Sequence, residues 1–186
     1  MNGERSWARH SWDGLGLTYD NLRLVEPNPH WMQIAEDLKT WLVDTLDAHA
    51  VAIEHIGSAA VPGLVCKPII DLALGVSSEA DYSPTQSALT EEGWTYRGDA
   101  GDAGGHIFVF ETSPSVRVAH AHVVPYGGKQ WTRYLQFREL LKGDAAARAG
   151  YVEVKRALLA QHGSIGSRQA YTAGKTSIVT SLLGDS

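Results

Sequence analysis

A turn that could hold phosphate is followed along the chain by a single carboxylate in an apolar segment. Gly57 and Ser58 end an apolar run that begins at Val51, and Asp71 lies inside a second apolar run, 68–76. Glycine lets backbone N–H groups approach an anion closely, and the serine hydroxyl can donate to the same anion. A lone carboxylate in an apolar strand is costly unless it meets a cation or several donors, and Mg²⁺ is a suitable partner. The two runs therefore predict a phosphate-binding turn beside a cation site.

The same residues also have a purely structural interpretation. Gly57 and Ser58 would then form only a turn between two strands. Asp71 would be a strand-end residue that is bound by backbone N–H groups or paired with Lys67. Gly57, Ser58 and Asp71 alone do not distinguish between these two interpretations.

Two histidines separated by one residue could supply further ligands. His120 and His122 lie in the segment 116–124, and on a strand residues i and i+2 point to one face, with about 6–7 Å between their Cα atoms. Imidazole suits Zn, Fe, Ni or Cu better than Mg, so the pair together with Asp71 would indicate a transition metal. In the alternative, the two rings line the pocket and hydrogen-bond to substrate without any metal. His55 could be a further ligand or a general base, and His122 could also carry a proton.

These residues need a sheet to position them, and the hydrophobic pattern predicts one. Short runs bounded by turn formers predict strands at 51–56, 68–76, 94–97, 106–112 and 116–124. Helical spacing predicts flanking helices at 28–50 and 78–92, and a helical C-terminal third at 129–141, 145–162 and 168–183. The glycine-rich connection 98–105 could be a lid over the site or a solvated hairpin connection. The predicted fold class is α/β, or α+β, with a mixed β-sheet flanked by helices.

Composition restricts the partners and the compartment. The 186 residues, 44% of them hydrophobic, fit one folded domain, and the net charge of -5 comes without a run of Lys or Arg that could follow a polynucleotide backbone. We therefore expect a small-molecule partner and no long nucleic acid. Cys66 is the single cysteine, and no segment has the length and apolarity of a membrane span, so we expect a cytoplasmic protein without membrane contact.

The first 20 residues lack a clear hydrophobic period. We expect residues 1–20 to form an N-terminal extension of a single domain, 21–186. This extension would be poorly ordered unless Trp7 and Trp12 pack on the domain or on a second subunit, so a homodimer remains an open alternative.

Three cations of the C-terminal helices are candidates for binding an anionic substrate. Arg138 is the first choice, because its planar guanidinium pairs with phosphate or carboxylate at two points. Lys155 and Lys175 are similar candidates on the following helices. The alternative for each of them is an ordinary solvated position on a helix.

Longer motifs around these residues make the sequence similar to a known family. It resembles the GrpB-like proteins of the nucleotidyltransferase superfamily over about residues 25–183, on the motifs IEHIGSAAVPGL (53–64), KPIID (67–71), HAHVV (120–124), YLQFR (134–138) and AYTAGK (170–175). The resemblance implies a nucleotidyltransferase-like fold with a C-terminal helical segment, in which the Gly-Ser turn holds triphosphate and strand carboxylates hold Mg²⁺ or Mn²⁺. It also implies that Lys67, Lys155, Tyr171 and Lys175 contact the substrate.

The sequence departs from the superfamily pattern at one acid. Active members carry two acids with one residue between them, and a third acid on a later strand, whereas here Asp71 is followed by Ala73 and the later strand offers His120 and His122. Ordinary two-metal transfer needs two cations about 3.5–4 Å apart, so we expect atypical chemistry. The first hypothesis is a transferase acting on a nucleotide, or on a phosphate- or carboxylate-bearing metabolite, in a metal-assisted pocket. The alternative is a non-catalytic nucleotide- or metabolite-binding protein that kept the fold and lost the catalytic acids.

Overall fold

The protein is described by a computed structural model that covers residues 12–101, 104–162 and 168–184. Of residues 162, 168–173, 175 and 176, only the backbone is described. The described helices are α1 (His30–Leu46), α2 (Tyr82–Glu91), α3 (Lys129–Gly143), α4 (Ala145–His162) and α5 (Arg168–Leu183). The described strands are β1 (Ala52–Ile56), β2 (Ile70–Val76), β3 (Thr95–Asp99), β4 (His106–Ser113) and β5 (Val116–Pro125).

The five strands form one mixed sheet in the order β1-β2-β5-β4-β3. Strands β2 and β5 pair in parallel, and the other three pairs are antiparallel. Because β2 and β5 are inner neighbours, their side chains meet across the centre of the sheet. The predicted α/β class with a mixed sheet and flanking helices is confirmed.

Helices cover both faces of the sheet, and the sequence of β2 reflects this. Leu72 and Leu74 pack with α1 in the larger core, whereas Ala73 packs with Trp131 of α3 on the opposite face. A strand covered on both faces reads as a nearly continuous apolar run rather than an alternating one. Asp71 is the one charged residue of that run, and by the alternation of the strand it lies on the α3 face together with Ala73.

Several element ends differ from the sequence prediction for identifiable reasons. Helix α1 stops at Leu46 rather than Ala50, because Asp47 adopts a positive φ of 46° and a 3₁₀ turn follows. The predicted helix 78–92 begins as a 3₁₀ turn with a capping box between Ser78 and Asp81, and only then continues as α2. Strand β3 starts at Thr95, one residue later than predicted, and Trp94 is buried just ahead of it. The connection 98–105 joins β3 and β4 as a hairpin in the part that is described.

Part of the N-terminal extension lies on the sheet. Leu17 forms an isolated antiparallel bridge with Arg117, whose guanidinium donates to the carbonyl oxygens of Leu17 and Thr18. The Trp12 ring lies 5.9 Å from the Phe110 ring, measured between centroids. Residues 1–11, which include Trp7, lie outside the described residues. Within the described part of the chain, no helix combines the length and the apolarity needed to cross a membrane.

Candidate metal centre and anion-binding turn

Asp71, His120 and His122 come together at the centre of the sheet, on the face covered by α3. In the parallel register of β2 and β5, Asp71 lies opposite His120, and Ala73 lies opposite His122. One ligand atom from each of the three side chains lies within 4.8 Å of the other two, and His120 Nδ1 is 3.1 Å from Asp71 Oδ1. All three are only partly buried, so an ion could reach them from solvent.

The chemistry of this donor set fits one transition-metal ion better than a pair of magnesium ions. Ala73 is fully buried and offers no ligand where the superfamily pattern has its second acid. His122 stands beside it on the neighbouring strand, so an imidazole is available next to the missing carboxylate. One carboxylate and two imidazoles suit Zn²⁺ or another imidazole-binding ion, whereas Mg²⁺ prefers oxygen ligands alone.

The turn at Gly57 lies directly against the Asp71 carboxylate. Gly57 has a φ of 72° and a ψ of -168°, a conformation open almost only to glycine. A Cβ placed on Gly57 would lie 2.8 Å from Asp71 Oδ2. Ser58 then begins a short 3₁₀ turn, Ser58–Ala60. The two functional features predicted from the sequence, the Gly-Ser turn and the strand carboxylate, are thus in contact.

A buried cation lies on the other side of the same turn. The Lys155 ammonium group donates to Ser58 Oγ at 3.4 Å and to the Val65 carbonyl oxygen, and it lies 4.5 Å from the centre of the Tyr151 ring. Ser58 Oγ in turn donates to the Tyr151 hydroxyl at 3.4 Å. Only 2% of Lys155 is exposed. The Lys155 ammonium group therefore lies at the Gly57–Ser58 turn.

His55 does not belong to this site. It pairs with Leu72, so it lies on the α1 face of the sheet, opposite the face that carries Asp71. Only 4% of His55 is exposed, and neither ring nitrogen has a hydrogen-bond partner among the described residues. Burial lowers the pKa of His55 to about 4, and the Asp71 charge opposes this only in part. The expectation that His55 acts as ligand or general base at the site is corrected: it is a neutral core residue.

The neutral, buried state of His55 predicts an acid-sensitive fold. Between pH 6.5 and about 4, the unfolded chain binds a proton at His55 that the folded chain does not bind, so the free energy of unfolding falls as the pH falls. The expected loss reaches about 3 kcal/mol near pH 4. In urea unfolding at several pH values, His55→Leu should remove this part of the pH dependence. His49→Leu, which changes an exposed histidine, is the control, and an unchanged slope in His55→Leu would contradict the assignment.

Arg138 has a different place from the one expected. Its guanidinium donates to the Glu54 carboxylate at 2.8 Å, to the His55 carbonyl oxygen at 2.9 Å and to Glu139 at 2.8 Å. The first two of these bonds tie α3 to β1. The expected role of Arg138 as the first substrate ligand stays a prediction, and substrate binding would require the guanidinium to exchange partners that it already has.

For the other residues that we expected to bind substrate, the structure describes fewer contacts. Lys67 is half-buried in the connection between the turn and β2. Tyr171 and Lys175 lie on α5, but their side chains are outside the described residues, so their roles remain predictions.

Two tyrosines lie beside the site that the sequence did not single out as site residues. The Tyr151 hydroxyl contacts Ser58, and the Tyr134 hydroxyl lies 3.1 Å from His122 Nδ1. For Tyr151 a signal existed: it lies one helical turn before Lys155, so both project from one face of α4. Tyr134 begins the motif 134–138, but the helical pattern assigned it to the core.

An open groove elsewhere on the molecule is not part of this site. It has a volume of about 730 Å³, runs along α4, and is lined mainly by small and apolar residues with Arg148, Glu153 and Arg156 at its edges. None of the three metal-site residues lines it, and no described feature indicates what would occupy it.

Comparisons with known proteins agree with this architecture. The family model described as "GrpB protein" matches residues 21–185. A UPF0157 protein of Halalkalibacterium halodurans is 34% identical over 163 residues, which cover 88% of this chain and 81% of that protein. The crystal structure of the conserved protein GrpB from Enterococcus faecalis superposes with a TM-score of 0.73 at 28% identity, over 87% of this chain and 97% of that one.

A more distant likeness concerns the fold alone. The Cid1 poly(U) polymerase, in a crystal structure with Mg and 3′-dATP bound, matches with a TM-score of 0.52 at 13% identity. The match covers 80% of this chain and 49% of that one. The expected nucleotidyltransferase-like architecture is confirmed at the level of the fold.

Proposed function

The chain belongs to the GrpB family, and we propose that it is a small-molecule transferase acting on a nucleotide or another phosphate-bearing metabolite beside one bound transition-metal ion. The observation that carries this proposal is the convergence of two ligand types on one face of the sheet. Asp71 forms part of a three-residue metal-binding cluster and also touches the Gly57 turn. A carboxylate and two imidazoles gathered beside a glycine turn are more typical of a functional site than of a packed core.

In this proposal the substrate and the ion occupy adjacent places. The backbone N–H groups after Gly57 and the Lys155 ammonium bind phosphate oxygens, because both present positive charge at the same turn. Asp71, His120 and His122 hold the ion, which when bound would supply a Lewis acid that polarises a phosphoryl oxygen. The magnesium and 3′-dATP in the Cid1 structure support a nucleotide as the substrate class, on the strength of a shared fold.

The alternative, a non-catalytic nucleotide or metabolite sensor, is favoured by one observation. Ala73 is buried and brings no ligand where a second acid would stand, so a second cation has no evident carboxylate bridge among the described residues. A sensor would bind the same ligands and leave them chemically unchanged. Release of pyrophosphate or transfer of a nucleotidyl group to any acceptor would exclude this alternative.

Thermal denaturation with ligands tests the proposed substrate class. With Zn²⁺ or Mn²⁺ present, one or more of ATP, CTP, GTP and UTP should raise the Tm by about 5–10 °C. This corresponds to the ~2.7 kcal/mol gained at a ligand concentration of 100 times the Kd, for a chain of this size. Ser58→Ala should reduce the shift, and Ser87→Ala, on the exposed side of α2, should leave it unchanged.

The outcomes of this experiment separate the ligand classes. If pyrophosphate stabilises the protein and no nucleotide does better, the ligand is a phosphate-bearing metabolite other than a nucleotide. If no phosphate compound stabilises the protein with either metal ion, the proposed anion-binding turn is wrong.

A further inference from the structure

We propose that Tyr134 and the Gly104 carbonyl fix the orientation and the tautomer of His122, so that this histidine presents Nε2 to the metal ion and acts as a ligand rather than as a proton carrier. The inference rests on the metal site of the proposed function and specifies how one of its three ligands is held. It concerns a positioning role for Tyr134.

Two described contacts of His122 involve the same ring nitrogen, Nδ1. His122 Nδ1 lies 3.1 Å from the Tyr134 hydroxyl oxygen and 3.3 Å from the Gly104 carbonyl oxygen. The two rings of His122 and Tyr134 are 5.4 Å apart at an angle of 60°. Gly104 lies close to both side chains, since a Cβ on it would be 3.6 Å from His122 Nδ1 and from the Tyr134 hydroxyl. The imidazole thus contacts both α3 and the β3–β4 connection through Nδ1.

The Gly104 carbonyl decides which nitrogen carries the proton. A carbonyl oxygen only accepts hydrogen bonds, so a favourable contact with it requires a proton on His122 Nδ1. In a neutral imidazole the other nitrogen, Nε2, then has a free lone pair, which is the form that binds a metal. The Tyr134 hydroxyl oxygen can accept from the same N–H group, and this holds the plane of the ring.

His122 and His120 therefore have different surroundings. His120 turns its Nδ1 toward the Asp71 carboxylate at 3.1 Å, within the cluster itself. His122 Nδ1 instead contacts a carbonyl and a hydroxyl that belong to other elements. Partners of this kind, which orient a ligating histidine through its second nitrogen, typically change metal affinity by about 10–100-fold when removed.

The test measures zinc affinity in protein without an affinity tag, by competition with a chromophoric chelator. Tyr134→Phe keeps the ring and removes the hydroxyl, and should weaken zinc binding about 10-fold and change the visible spectrum of the Co²⁺-loaded protein. Tyr126→Phe is the matched control, because Tyr126 is half-exposed and contacts Trp131 through its ring. Its zinc affinity and Co²⁺ spectrum should equal those of the wild type.

The outcomes distinguish this inference from the proposed function. If the wild type binds neither Zn²⁺ nor Co²⁺, the metal site itself is wrong. If the wild type binds zinc and Tyr134→Phe binds it equally well with the same spectrum, the positioning role is wrong and the metal site stands. Should the variant not fold, ¹H–¹⁵N long-range correlations of the metal-free wild type decide the question. The Nδ1-protonated tautomer of His122 is expected, and the Nε2-protonated tautomer would overturn the inference.

Discussion

Asp71→Asn should weaken zinc binding by about 100-fold or more and abolish turnover, while leaving the fold intact. Asparagine has nearly the same size as aspartate but lacks the negative charge, and its amide cannot offer the second anionic oxygen that a cation prefers. A 100-fold loss corresponds to about 3 kcal/mol of binding free energy. The effect should exceed that of Tyr134→Phe, because Asp71 is the only carboxylate of the metal-binding cluster found among the described residues.

The measurement is the same chelator competition, combined with an assay of pyrophosphate release once a nucleotide substrate has been found. Asp44→Asn, a neutralisation on the exposed side of α1, should leave zinc affinity and turnover unchanged. If Asp71→Asn retains the zinc affinity of the wild type, Asp71 is not a ligand. If turnover is absent from both proteins and nucleotide binding survives the substitution, the sensor alternative is correct.

Gly57→Ala should destabilise the protein by about 2–4 kcal/mol and disturb the metal site as well. The backbone of Gly57 costs about 1–3 kcal/mol for any residue with a Cβ. The added methyl group would also meet Asp71 Oδ2 at 2.8 Å, so either the turn or the carboxylate must move. Urea unfolding measures the loss as a lower midpoint at an unchanged m value.

A control and a double mutant separate these two contributions. Gly63 also has a positive φ, of 71°, but a Cβ there would meet nothing within 4 Å, so Gly63→Ala reports backbone strain alone. Combining Gly57→Ala with Asp71→Ala removes the 2.8 Å contact with the carboxylate and leaves only the 3.3 Å contact with the Cβ of residue 71. The double mutant should therefore be more stable than the sum of the single effects predicts. If the changes in the free energy of unfolding are strictly additive, the methyl group added at residue 57 does not clash with the side chain of residue 71.

The sequence was enough to predict that His120 and His122 lie on one face of the sheet. It was not enough to predict the face on which His55 lies. The period of two along a strand is enough to place His120 and His122 on one face, and the family motif links them to Asp71. For His55 the deciding fact is the register of β1, in which Ile56 pairs with Asp71. A shift of one residue would have turned His55 toward the site, and no local pattern fixes that register.

The partners of the cationic side chains could not be predicted either. Arg138 and Glu54 are 84 positions apart, and Lys155 and Ser58 are 97 positions apart. Their contacts depend on how α3 and α4 pack against the sheet, which is decided by the summed packing of apolar side chains rather than by any local motif. The sequence therefore favoured Arg138 over Lys155 as an anion ligand, whereas the structure ties Arg138 to β1 and places Lys155 at the turn.

X-ray absorption at the zinc edge tests the central claim most directly, on tag-free protein loaded with one equivalent of zinc. The structure predicts a first shell of nitrogen and oxygen atoms at about 2.0–2.1 Å, with outer-shell scattering from two imidazole rings. In His122→Ala one of the two imidazole contributions should disappear. A protein that does not retain zinc, or a zinc ion whose shell contains no imidazole, would contradict a metal site built from Asp71, His120 and His122.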